Sequence, residues 1–146
     1  MSPQYKLRLP REALREEEVI TCFQAIKQLR PSLTKDEYLQ RVAKQRTEGY
    51  RLAYIEVDSL VVCVAGFRIL HNLAWGKFLY VDDLITDEKH RSRGYGKELV
   101  NWLRNEARTQ GCSQLHLDSG IQRTDAHRFY SSEGLARTCF HFAENL

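Results

Sequence analysis

Hydrophobic and polar positions change period several times along the chain, and each change marks an element. Tyr5, Leu7 and Leu9 alternate with Lys6 and Arg8, which predicts a short strand ended by Pro10. From Arg11 to Leu29, the positions Leu14, Val19, Ile20, Phe23, Ile26 and Leu29 recur at helical spacing, and Arg30-Pro31 breaks the pattern. Thr34 and Glu37 form a capping-box pair that opens a second helix through Tyr38, Leu39, Val42 and Ala43, stopped at Gly49. The period then falls to two. Tyr50–Glu56 reads as a strand, Val57-Asp58-Ser59 as a turn, Leu60–Leu70 as the hairpin partner, and Lys77–Thr86 as a further strand. A charged loop spans Asp87–Arg93. A third helix begins near Gly96, with Leu99, Val100, Leu103 and Ala107 on one face and Gly111 as its stop. Ser113–Ser119 predicts a strand, Thr124–Glu133 a short helix ended by Gly134, and Leu135–Ala143 a final strand.

The order is β-α-α-β-β-β-α-β-α-β. An antiparallel meander followed by a β-α-β crossover predicts an α+β (mixed α/β) class. A length of 146 residues suits a single domain covering 1–146. Hydrophobic residues at 42% and charged residues at 28% are those of an ordinary globular protein, which excludes disorder and a coiled-coil rod. The net charge of +3 is too small to argue for nucleic acid, yet compatible with a small anionic ligand if the cations gather at one place.

Four cysteines, Cys22, Cys63, Cys112 and Cys139, stand far apart and in no metal-ligand spacing. They predict reduced, buried thiols and no metal. The longest apolar run, Leu60–Gly66, is far too short for a membrane span, and the N-terminus has no signal-peptide core. The expectation is a cytoplasmic protein with no membrane partner.

The stretch Arg91-Ser92-Arg93-Gly94-Tyr95-Gly96-Lys97 lies between a strand and an amphipathic helix. Glycines there let backbone N–H groups approach a phosphate at the positive end of a helix, and three cations surround them. A P-loop is excluded because Glu98 follows Lys97, and a dinucleotide fingerprint because Leu99 stands where its third glycine belongs. Arg91-x-x-Gly94-x-Gly96, preceded by Leu84-Ile85-Thr86, instead resembles the acetyl-CoA loop of the GNAT N-acetyltransferase superfamily. Ala126–Leu135 resembles the family's second motif, and the element order matches along nearly the whole chain. The nearest subgroup is the compact single-domain bacterial-type members. The resemblance implies a central, mostly antiparallel twisted sheet, splayed between the fourth and fifth strands and flanked by about four helices.

It also implies roles. The backbone of Leu84, Ile85 and Thr86 would pair with the pantetheine arm of acetyl-CoA, a co-substrate. The amides of Arg91, Ser92, Arg93, Gly94, Tyr95, Gly96 and Lys97 would hold its pyrophosphate. Tyr130 matches the tyrosine that protonates the leaving thiolate. The family often carries an asparagine seven positions earlier. Here that position is Arg123, a candidate for a CoA phosphate, with Thr124 or Asp125 as a helix N-cap. An alkylammonium must lose a proton before it attacks. Asp83, and beside it Asp82, are the candidate bases or amine anchors in an otherwise apolar strand. Strand alternation puts these two on opposite faces, Asp82 with Tyr80 and Leu84, Asp83 with Val81 and Ile85.

Acceptor walls are expected from Arg30, Tyr38, Trp75, Phe78 and Tyr80; aromatic rings beside carboxylates suit a cationic ligand. The implied activity is acetyl transfer from acetyl-CoA to a primary amine, a small molecule being favoured, by direct attack in a ternary complex. The alternatives are a silent acyl-CoA sensor and a protein N-terminal or lysine acetyltransferase. A homodimer through the C-terminal strand is a further candidate.

Overall fold

The computed structural model of the protein describes residues 9–146. The predicted strand over Tyr5–Leu9 therefore lies, but for the exposed Leu9, outside the described residues. The chain forms two compact units, one running through His116 and one from Leu117 to Leu146.

The first unit is built on a five-stranded sheet in the order β1-β2-β3-β4-β5. Its strands are β1 (Arg11–Glu12), β2 (Arg51–Val57), β3 (Leu60–Asn72), β4 (Gly76–Thr86) and β5 (Gln114–Leu117). The first four pair antiparallel, and β5 lies parallel to β4. β2 and β3 are joined by a two-residue turn, Asp58-Ser59, with φ of 49° and 65°. Two left-handed residues give the turn whose twist matches that of the flanking strands.

One face of the sheet carries α1 (Glu16–Thr21), α2 (Phe23–Leu29) and α3 (Lys35–Arg46). The single helix expected over residues 11–29 is therefore a short strand and two helices. Thr21 turns its hydroxyl back onto the Glu18 carbonyl at 2.8 Å, and the chain steps at Cys22. Such back-bonding competes with the helix ladder. The Thr34–Glu37 capping box forms as predicted and opens α3. Val19, Cys22, Phe23, Ile26, Tyr38 and Val42 bury against Leu52, Tyr54, Val64 and Ile85 of the sheet.

The other face is covered by α4 (Tyr95–Thr109) through Leu99, Val100, Leu103 and Ala107, the stripe read from the sequence. Phe67 of β3 meets Trp102 of α4 edge-to-face at 5.8 Å. Arg51 links the layers, with Glu12 at 2.7 Å and Glu106 at 2.9 Å.

The second unit holds α5 (Thr124–Ser132). The strand expected over Leu135–Ala143 does not form; that stretch has no regular structure. Its alternation describes two faces, but a strand also needs an edge to pair with, and none is paired to it among the described residues. Neither Thr124 nor Asp125 caps α5: the N-cap is Arg123, with no side-chain cap.

Candidate active site

β4 is eleven residues long and β5 only four. β5 starts at the early end of β4, where the Ser113 N–H donates to the Lys77 carbonyl at 2.9 Å. A parallel neighbour of that length runs out before the late part of β4. The edge of β4 around Leu84, Ile85 and Thr86 is thereby left unpaired by β5, as a splayed sheet requires. An open strand edge offers N–H and C=O groups to an extended ligand.

β4 leads directly into the glycine loop. Asp87 fixes the start of that loop. Its N–H donates to Val62, its carboxylate accepts from Gln28 Nε2 at 2.6 Å and from the Lys89 N–H, and it meets His90 Nδ1 at 2.6 Å. The hydrogen bond to His90, then that to Gln28, holds the Asp87 carboxyl below its usual range. Ser92 and Gly94 both take left-handed backbone, φ 63° and 86°. Gly94 is also the N-cap of α4 and offers no side chain to the first turn. The leading N–H groups of α4 thus have no side-chain cap at the positive end of a fifteen-residue helix. Arg91, Arg93 and Lys97 stand around this corner, with Arg91 Nε donating to the Thr86 carbonyl at 3.4 Å. Alternating left-handed residues, amides without a side-chain cap and three cations suit a phosphate or pyrophosphate.

The two acidic candidates do not sit as simple alternation predicts. Asp83 faces Gly66 across the β3–β4 pair and Val81 faces Phe67, so Asp82 is one residue extra. This bulge breaks the period of two. Val81 turns with Phe67 toward the α4 side, and both carboxylates turn to the side of α1–α3. Asp83 Oδ2 accepts from the Tyr50 hydroxyl at 2.7 Å, and Oδ1 accepts from Arg30 Nη2 at 3.0 Å and Nε at 3.3 Å. Asp82 is held by Arg68 of β3 in a two-point contact at 2.7 and 2.9 Å. Burial raises the Asp82 carboxyl above its usual range against the pull of Arg68. Burial, and then Asp83, push the Tyr50 phenol well above its ordinary value.

Above Asp83 lies a cavity of about 450 Å³ between α2, α3 and the sheet. Of the four aromatic walls expected from the sequence, only Tyr38 lines it, and the Tyr38 hydroxyl is spent on the Val19 carbonyl at 2.6 Å. Trp75 and Phe78 gather elsewhere, around His116, whose ring stacks on Trp75 at 3.5 Å. Tyr80 lies under Arg68, 5.8 Å from ring centre to guanidinium. The residues that sequence reading missed are Tyr50, Gly66, Arg41 and Gln45. Each is ordinary in its own stretch, and only the fold joins them to Asp83.

Tyr130 belongs to the second unit, on α5, and is partly buried. Burial raises its phenol above the ordinary value, opposed by the charge and hydrogen bond of Arg123. Arg123 thus serves Tyr130 within that unit. Cys22 and Cys63 are buried as expected, but Cys112 is only partly buried and Cys139 is exposed, because the strand expected around it is absent. Among the described residues no His, Cys, Asp and Glu cluster gathers as a metal site, and no helix is long and apolar enough to cross a membrane.

Comparison with known proteins gives consistent relatives. The chain is 34% identical over 119 residues to the uncharacterized N-acetyltransferase YhdJ of Bacillus subtilis, covering 81% of this chain and 84% of that one. It is 35% identical over 100 residues to the aminoalkylphosphonate N-acetyltransferase of Salmonella typhimurium, covering 66% and 62%. The solved aminoglycoside N-acetyltransferase AAC(6')-Iy, in complex with CoA, shares the fold with a TM-score of 0.89 over 100% of this chain and 98% of that one, at 14% identity. The model of the Acetyltransferase (GNAT) family matches residues 12–134, and the chain belongs to that family as an N-acetyltransferase.

Proposed function

We propose that the protein transfers the acetyl group of acetyl-CoA to the primary amine of a small molecule, by direct attack within a ternary complex. The observation that carries this is one continuous run of chain. The open edge of β4 passes straight into a loop of left-handed residues, Ser92 and Gly94, at a helix start with no side-chain cap, ringed by Arg91, Arg93 and Lys97. Asp83 and the cavity stand beside that edge.

Acetyl-CoA supplies an acyl group activated as a thioester. The amides of Ser92–Lys97 hold its pyrophosphate, and the backbone of Leu84, Ile85 and Thr86 aligns the pantetheine arm. Positioning of this kind supplies much of the rate of a two-substrate transfer. Asp83, with Asp82 beside it, anchors the amine and receives its proton directly or through water. The nitrogen attacks the carbonyl carbon, the carbon–sulfur bond breaks, and Tyr130 gives its proton to the departing sulfur. Arg123, against Tyr130, stabilises the phenolate left behind. The named relatives act on an aminoalkylphosphonate and an aminoglycoside, both small amines, which supports a small acceptor.

The test is thiol release from acetyl-CoA against a panel of amines, amino acids, aminophosphonates, polyamines, aminoglycosides and peptides, with mass spectrometry of the product. Release with one small amine, and that amine acetylated, is the expected result. Tight CoA binding with release by no small amine and by a peptide would reassign the acceptor to protein.

A further inference from the structure

The cavity over Asp83 has an uneven charge. Its wall holds one carboxylate, Asp83, and two guanidinium groups, Arg30 and Arg41, over an apolar floor of Ile26, Leu29 and Val42. Glu37, one turn before Arg41, is not in the wall; its carboxylate accepts from the Thr34 N–H at 2.9 Å and, more weakly, feels the charge of Arg41, which keeps its donors for the cavity. The two arginines come from different elements. Arg30 closes α2, where Pro31 restricts its backbone, and Arg41 projects from α3.

Arg30 spends two donors on Asp83 and yet its side chain is 52% exposed, so the pair is accessible from the cavity. Asp83 itself is only 16% exposed, but the arginine end lies open to solvent, which weakens the pair. Asp83 is fixed on its other oxygen by Tyr50, so it stays in place if Arg30 leaves. A ligand bearing both an ammonium and an anion exchanges with this pair without leaving a bare charge: its ammonium takes the position of Arg30 at Asp83, and its anion takes Arg30 and Arg41. A polyamine or aminoglycoside, by contrast, places its second ammonium against two guanidinium groups, which repel it.

We infer that this cavity takes amines that carry an anionic group, a carboxylate or a phosphonate, with the amine at Asp83 and the anion between Arg30 and Arg41. This rests on the reading of the protein as an acetyl-CoA-dependent amine acetyltransferase and adds the acceptor class.

Two arms test it. In the first, kcat/KM by thiol release is compared for 2-aminoethylphosphonate, 3-aminopropionate, propylamine and spermidine. The anionic amines exceed propylamine and spermidine by about tenfold or more, the scale of one charge-assisted contact. In Arg41→Gln the ratio of anionic amine to propylamine falls toward one, and Arg41→Lys restores part of it. Arg41 is exposed and structurally independent of Asp83, so this variant folds even if Arg30→Gln does not. In the second arm, calorimetry measures binding of the same four amines to the protein without acetyl-CoA. Thiol release without any anionic preference, or a preference untouched by Arg41→Gln, overturns the inference and leaves the acetyltransferase reading standing. No release by any amine, with an Arg41-dependent binding preference kept, overturns that reading and leaves the site standing. No preference in either arm overturns the inference outright.

Discussion

The hydroxyl of Tyr50 donates to Oδ2 of Asp83 across 2.7 Å, and it reaches that carboxylate over Gly66, whose missing side chain leaves the ring its space. A Cβ at Gly66 would collide with the Tyr50 ring and hydroxyl. Tyr50 is only 5% exposed and its hydroxyl is tied to Asp83, so any shift of the ring breaks that bond. Gly66→Ala therefore costs about 1–3 kcal/mol in overpacking and lowers the melting temperature by several degrees. It also frees Asp83, so kcat/KM falls together with the melting temperature. Thermal denaturation and thiol release on one preparation check both. Tyr50→Phe removes the hydrogen bond without the clash and lowers kcat/KM with a smaller loss of stability.

Gly94 makes the loop in a different way. Its φ is 86°, but a Cβ there would meet nothing within 4 Å, so only backbone strain opposes a side chain. Gly94→Ala carries a strain of about 1–2 kcal/mol and weakens CoA roughly tenfold. Gly94→Asn, better tolerated in left-handed backbone, weakens it less. Calorimetric titration with CoA separates the two.

Tyr130→Phe keeps the ring and removes the proton. It lowers kcat by about a hundredfold or more, the usual weight of a positioned acid, and changes CoA affinity less than twofold. Burial raises the Tyr130 phenol above its ordinary value, so the acid stays protonated through neutrality and imposes no falling limb there. The wild-type rate accordingly rises with pH as the amine deprotonates. A pH profile of kcat/KM shows this directly.

Stability carries its own pH signature. Glu18 accepts from the Tyr54 hydroxyl at 2.6 Å, and that bond holds its carboxyl down at about 2. A carboxyl lowered on folding stabilises the fold above its unfolded value near 4.5, and that contribution is lost as pH falls toward 2. The loss amounts to about 2 kcal/mol once exposure is allowed for. Urea unfolding between pH 6 and pH 2 follows this loss, and Glu18→Gln flattens it.

The thiols divide by burial. The Cys22 and Cys63 thiols are pushed up to about 12 and about 11 by desolvation and lie inside the core. In the native protein a thiol reagent labels Cys139 first, and Cys22 and Cys63 only after denaturant is added. Peptide mapping of the labelled chain gives the order.

Local signals carried most of the fold. The Thr34 capping box, the Asp58-Ser59 turn and the α4 stripe are each complete within a few residues, and each forms where the sequence places it. Asp82 and Asp83 show what local reading loses. A bulge is created by register against β3, and nothing in Val81–Ile85 announces it, so alternation assigned the carboxylates to opposite faces. The cavity was half legible for the same reason. Arg30 and Tyr38 stand out beside a proline and a capping box, while Tyr50 and Arg41 acquire meaning only once β2 and α3 close over Asp83. The absent strand over Leu135–Ala143 fails because alternation describes a strand's faces and says nothing of its partner.

The central claim is direct transfer between two bound substrates, and two-substrate initial-rate kinetics test it most directly. Thiol release is measured while acetyl-CoA and the best amine are varied together, with intact mass of the protein taken after acetyl-CoA alone. The account predicts intersecting double-reciprocal lines and a chain that carries no acetyl group. Parallel lines with an acetylated chain would show a covalent intermediate and contradict it.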